Sequence, residues 1–575
     1  MVFWAAVRAV VHAVTILCLS SILAAPLTAE TSWRFVASGR IVTSPVVLDS
    51  GEVSFAADDR NLYRLSAGGE LRWRTRLPEM PTRRLTALHD GSVLIELSDG
   101  RVERISRSGR HAWTLRSPDE KLTSIAASNL GIVYLTYEGG GIRALNYAGH
   151  SLWALSVGDS VVHGPYISGD GSLVLITEGA ELLVLTSDGT VVDSYDIEEV
   201  PAVAAMGPDG TVVAADEHGR ISRINITDGT REVIAEANSA VQRLILDTSG
   251  ALSFVDETGE LHGATTSQPL TQVDGGAAGT GDGGFVVSEE SGVLRVLDDA
   301  GETVVHMHVG GGGALGEPVI GAGGHIVVPG RDEGWIVYGL KIEPVRAPAW
   351  TASGGSARND GRIYEVAMPG RRELRNRRDY LVLSDMIRAG GASESERVLS
   401  DVEARLDDGN LRGTLAWISS LLIEITGIDV SSRESRLVSP DIAARAYVAL
   451  GRVGDLIALR GLERAASRAN DPTELRAIMR GFSSVGFSDR IPRGVLISEI
   501  YDRGGGPGTS AGMDEAFISA SEELWEQGAR LPRVLVETLS YLPQRGASEQ
   551  VRMRARALLA RVAIENQPVI RTALQ

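Results

Sequence analysis

Short runs of alternating apolar and polar residues, each closed by Gly or Asp, fill the first part of the chain. From Thr43 the runs are "SPVVL", "EVSFAA", "NLYRLS" and "ELRWRTRL", separated by "DSG", "DDR" and "AGG". Leu62 alternates with Arg64 and Leu71 with Trp73, the two-residue period of a strand. The separators are turn chemistry, because Gly accepts positive φ and Asp caps its own turn. The unit recurs. A glycine precedes the fourth run at Gly69, Gly109, Gly149, Gly189 and Gly229, each step 40 residues, and Trp33, Trp73, Trp113 and Trp153 keep the same spacing. Four antiparallel strands per period of about 40 residues is the signature of a β-propeller blade. First strands are expected near Pro45, Leu85, Leu122, Gly164, Val203, Leu244, Gly284 and Pro318, which gives eight blades. The last unit, "GEPVIGAGGHIVVPGRDEGWIVYGLKI", has three strands, and "TSWRFVAS" near the N-terminus is a fourth strand with nothing before it. The N-terminal strand is therefore expected to close the last blade.

The texture changes after Lys341. "EPVRAPAWTASGGSARNDGR" reads as a linker. Thereafter apolar residues recur at three and four positions in "RNRRDYLVLSDMIRAG", "SERVLSDVEARLDDG" and "LRGTLAWISSLLIEITG", a helical period. Ser439-Pro440-Asp441 and Asp471-Pro472 are helix starts with Pro in the first turn. Paired helices of this kind resemble HEAT-type repeats, so the expected fold is an eight-bladed β-propeller of four-stranded blades followed by an all-α HEAT-like solenoid. The expected boundaries are 1–29 for a signal peptide, 30–345 for the propeller, 346–370 for the linker and 371–575 for the helical domain. "RGGGPGTSAG" at 503–512 and "GGGGALGEP" from Gly310 read as flexible connections.

Composition sharpens this picture. The 575 residues carry a net charge of −18, which disfavours nucleic acid as a partner. The acidity is confined to the first part. Residues 1–361 hold 26 basic and 45 acidic groups, while 362–575 hold 30 and 29. Arg8, an apolar run from Val10 to Leu23 and "APLTA" compose a signal peptide, with cleavage expected near Ala29. An uncleaved anchor and lipid attachment at Cys18, the sole cysteine, are the alternatives. Export to the periplasm or envelope follows from that signal.

The repeat resembles that of the quinoprotein dehydrogenase-like propellers, whose unit runs Ala-x-Asp-x-x-x-Gly-x-x-x-Trp. "ALNYAGHSLW" matches with Asn146 for Asp, and "RLSAGGELRW" and "RISRSGRHAW" keep the Gly and Trp. The resemblance implies blade-docking roles for Trp33, Trp73, Trp113 and Trp153 and for Gly69, Gly109, Gly149, Gly189 and Gly229. Enzymes of that family use pyrroloquinoline quinone, a calcium held by Glu, Asn and Asp, a catalytic Asp and an Arg. Units held to 40 residues leave almost no room for the inserted loops that build such sites. No catalytic, cofactor-binding or metal-binding residue is assigned and no cofactor is expected. The reading is a non-enzymatic, exported protein-interaction scaffold similar in its propeller to the β-barrel assembly lipoprotein, with a degenerate quinoprotein oxidoreductase as the alternative. Protein partners of the envelope are expected, with no nucleic acid and only indirect or anchor-mediated membrane contact.

Weaker motifs have plainer readings. His306 and His308 share a strand face without a third metal ligand nearby. "SDG", "PDG" and "TDG" at 187–189, 208–210 and 227–229 are hairpin turns. The cluster Arg371, Arg372, Arg375, Arg377 and Arg378 reads as a solvated helix start. Helix arginines are expected to supply bidentate contacts to a partner.

Overall fold

The structure is a computed structural model, and it describes residues 30–116, 121–264, 269–281, 283–321, 324–342, 378–428, 438–486 and 493–566. The expected signal peptide, the linker with Trp350, and Arg371, Arg372, Arg375 and Arg377 lie outside the described residues.

Eight antiparallel four-stranded sheets form the blades. Seven are consecutive hairpin stacks, at 46–76, 81–116, 122–156, 161–196, 203–236, 241–272 and 276–308. The eighth combines Val319–Ile320, His325–Arg331 and Trp335–Lys341 with the N-terminal strand Glu30–Ala37 as its fourth member. First strands of successive blades pack against one another and line the axis, so fourth strands lie outermost. One first-strand position is corrected. Gly284 leads into the second strand of blade 7, Phe285–Ser288, and the first strand is Gly276–Gly279. The segment "GAAG" lacks the large apolar residues that mark a strand. Its backbone is buried instead beneath neighbouring chain, and a Cβ on Gly276 would meet Glu317 Cα at 2.7 Å.

Nine helices follow among the described residues: α1 Arg378–Asp407, α2 Leu415–Thr426, α3 Pro440–Val453, α4 Leu456–Arg468, α5 Pro472–Ser484, α6 Arg493–Arg503, α7 Ala511–Glu526, α8 Arg533–Arg545 and α9 Glu549–Asn566. The predicted starts are capped. Ser439 accepts from Ile442 N, and Asp471 accepts from Thr473 N and Glu474 N. The first two predicted helices are both present, and within the α1 span they are separated by a non-helical kink at Gly391 (φ 61°, ψ −139°). Odd-numbered helices contact odd-numbered neighbours and even contact even, which makes two layers joined by short hairpins.

Both glycine-rich connections are tightly held rather than slack. The Asp514 carboxylate, fully buried on α7, accepts from Tyr501 Oη (2.5 Å), Gly508 N (3.2 Å) and Ala547 N (2.7 Å), and so fastens the 503–512 loop. At 310–313 the chain runs so close to its neighbour that a Cβ on Gly313 would lie 1.7 Å from Arg331 O.

Candidate interaction surface

The turns joining third to fourth strands all lie on one propeller face. In five of those turns the glycine meets an aromatic ring from the preceding blade. Trp33, Trp73, Trp113 and Trp153 donate their Nε1–H to Ala67 O, Arg107 O, Tyr147 O and Ser187 O, at 2.9, 2.8, 2.9 and 3.0 Å. A Cβ on Gly69, Gly109, Gly149 or Gly189 would fall 2.4 to 3.1 Å from the corresponding indole. All four glycines have φ near +80°, a conformation that other residues adopt poorly. The beat outlasts the tryptophans for the same reason. A Cβ on Gly229 would fall 2.3 Å from the Tyr195 ring, and one on Gly301 2.7 Å from Leu270. Any flat or branched apolar side chain from the neighbouring blade can fill the glycine notch.

Arginines at the third-strand position of several blades add polar staples. Arg64 is buried and donates to Gly91 O of the next blade at 2.9 Å. Burial lowers its pKa to about 10, against the opposing pull of Glu52. Arg223 repeats the arrangement with Gly250 O at 2.8 Å. At the axis, Arg84 donates to Leu122 O (2.7 Å) and Arg243 to Ala277 O (2.8 Å), each on the following blade.

Blade 2 departs from this scheme. Arg104 Nη2 pairs with buried Asp90 at 2.6 Å and also donates to Gly486 O, at 2.8 Å, in the helical half. This is one of four contacts of one kind. Each odd-to-even helix hairpin sets its turn on the propeller face. The α1–α2 turn meets blades 3 and 4, where Leu411 N donates to Leu152 O (2.6 Å) and Gly413 N to Asp188 O (3.0 Å). The α3–α4 turn meets blade 3, with Asn146 Nδ2 donating to Arg452 O (2.8 Å) and Leu456 N to Leu130 O (3.1 Å). After α5, Gly486 presses on Ala148, and a Cβ there would lie 2.0 Å from its backbone nitrogen. The α7–α8 turn meets blade 2, with Ser108 Oγ donating to Gly528 O (2.7 Å) and the Arg110 guanidinium 3.5 Å from the Trp525 ring centroid. One hydrophobic cluster runs from Trp153, Leu152 and Leu145 through Leu411, Trp417, Tyr447 and Val485. The helical layers thus stand hairpin-end down on blades 2 to 4.

The sequence reading missed this seam. Its signals are modest: a glycine in each participating helix turn (Gly409, Gly454, Gly486, Gly528), which sequence alone reads as a helix stop. The helix arginines are also largely engaged inside the chain. Arg445 bonds Glu403 and Ser400, Arg554 bonds Glu515 and Glu522, and Arg503 donates to Ala466 O and Ala469 O. An arginine-led partner surface is correspondingly narrower than the sequence suggests.

His306 and His308 lie on the outermost strand of blade 7 with their rings edge to face at 5.9 Å. Asp188, Asp209 and Asp228 cap their own hairpin turns, as read. Asp256, Glu260 and His262 converge within 4.8 Å of one another. Asp256 is committed there to Thr258 N, Glu260 N and His262 Nε2 (3.1 Å), and His262 stacks on Phe254. Burial would raise the Asp256 pKa, but these bonds win and hold it below the ordinary carboxylate value.

Residues 21–160 match the model of a family described as "Outer membrane protein assembly factor BamB". That stretch, about a quarter of the chain, is similar to the family. Among solved structures the propeller is similar to BamB from Moraxella catarrhalis, at 14% identity and a TM-score of 0.40 over 55% of this chain and 100% of that one. It is similar too to the WD40 propeller domain of Doa1 (13%, 0.37, 55% and 98%) and to the designed Ika8 protein (17%, 0.41, 53% and 96%). No curated protein matches the chain.

Proposed function

We propose that the chain is an exported, non-catalytic protein-interaction scaffold of the bacterial cell envelope, serving outer-membrane protein assembly or envelope maintenance. The match of residues 21–160 to the BamB description supports the envelope role. The architecture supports the scaffold. Short turns close the blades, and four helix hairpins take up part of one face, so the molecule offers two extended surfaces instead of one loop-built cleft. In this reading the HEAT-like half supplies partner choice through the layer faces that stand clear of the propeller. Trp33, Trp73, Trp113 and Trp153, with the five turn glycines, are blade-docking residues rather than ligand contacts. The test has two arms. The purified full chain is expected to retain defined envelope proteins after cross-linking in cells. It is expected to give no saturable heat on titration with pyrroloquinoline quinone and calcium, and stoichiometric submicromolar binding would overturn the non-catalytic reading.

A further inference from the structure

Asp455 lies where the helical half meets blade 3, one residue from the Leu456 N–H that donates to Leu130 O. It is the N-cap of α4 and only 6% exposed. Its carboxylate accepts from neutral donors: Ala458 N at 2.7 Å and the Ser419 hydroxyl at 3.0 Å, from α2. The charged groups of the neighbouring elements are engaged elsewhere. Arg452, on α3, pairs with Asp407 at 2.7 Å. His150, on the blade 3 turn, interacts with Glu523 and Arg452, and its pKa is lowered mainly by burial. Gly454, the adjoining residue, is pressed against the Asn146 side chain. A carboxylate so placed has lost water without gaining a cation, and the charged form bears the cost.

We propose that Asp455 makes the joint proton-sensitive, with the docked state of the helical half holding a proton on Asp455 that the undocked state releases. Undocking hydrates the turn at 454–456 and removes part of the burial that disfavours the anion. The Asp455 pKa is raised to about 6, by burial above all, from an ordinary 3.8. A raised carboxyl pKa favours the protonated folded form. Its stabilising effect is therefore full below about pH 4 and is lost as pH rises through about 6. The joint tightens on acidification. Asn at this position keeps the cap and cannot titrate.

Amide exchange of the full chain, wild type and Asp455→Asn, is compared at pH 5 and pH 7 after correction for the intrinsic pH dependence. In the wild type the seam amides Leu411, Gly413 and Leu456 should exchange more slowly at pH 5. The gain between pH 7 and pH 5 is up to about 10-fold if docking accounts for the whole shift, since pH 5 lies only about one unit below the raised pKa, and a few-fold if it accounts for part. In Asp455→Asn the same amides should show no such gain. Equal pH responses in the two proteins would overturn the proposal, as would slower exchange at pH 7 in the wild type. Amides of α9, remote from the joint, serve as the control; an equal gain there would assign the effect to global stability and equally defeat it.

Discussion

Trp153 is the largest of the fully buried side chains, and it joins blade 3 to blade 4 while forming part of the cluster that continues into the helices. Truncating such a residue removes both transfer energy and packing, so Trp153→Ala should cost about 3–5 kcal/mol. Trp33, only partly buried at the closing strand, should cost less when truncated. Thermal denaturation of both variants checks the order, and equal losses would count against burial as the cause. Arg104 makes a sharper case. It and Asp90 are both buried, so Arg104→Ala takes the guanidinium away from the Asp90 carboxylate and from the carbonyl of Gly486. The expected loss is about 3–5 kcal/mol. In the Arg104→Met, Asp90→Leu double variant much of that loss should return, because an apolar pair carries no desolvation cost. Urea denaturation of the single and double variants decides this.

At the scale of elements, the blade rhythm was legible because turn glycines and alternating strands leave a period that no single substitution erases. The eight sheets and the closing strand followed from it. The first strand of blade 7 was not legible, because "GAAG" is held by close backbone approach and carries no apolar signal. Helix starts at Ser439 and Asp471 were legible from side chains that cap locally. The helix-to-blade contacts were not, because most run through backbone groups and glycines, whose partners lie hundreds of residues away. Gly486 is the most exposed test of that reading. Its substitution by Ala places a methyl group against Ala148 N, which no rotamer change can relieve. Gly486→Ala should cost about 1–3 kcal/mol, as overpacking does. It should also speed amide exchange at Leu411, Gly413 and Leu456 while leaving the far hairpins unchanged. An unchanged exchange pattern would mean that the turn after α5 does not bear on blade 3.

For the whole molecule, the acidic ring and the near-neutral helical half read in sequence as two separable modules. In the structure they share a hydrophobic cluster and four hairpin seats on blades 2 to 4, contacts expected to hold them as one body once the chain between them is cut. That is the central claim, and cutting the connection tests it most directly. A protease site is placed between residues 343 and 377 of the full chain, the folded protein is cleaved, and the products are passed over a sizing column in ordinary buffer. The two fragments should elute together as a 1:1 complex and stay together on dilution to the submicromolar range. Fragments that separate while each keeps its native circular dichroism would contradict it.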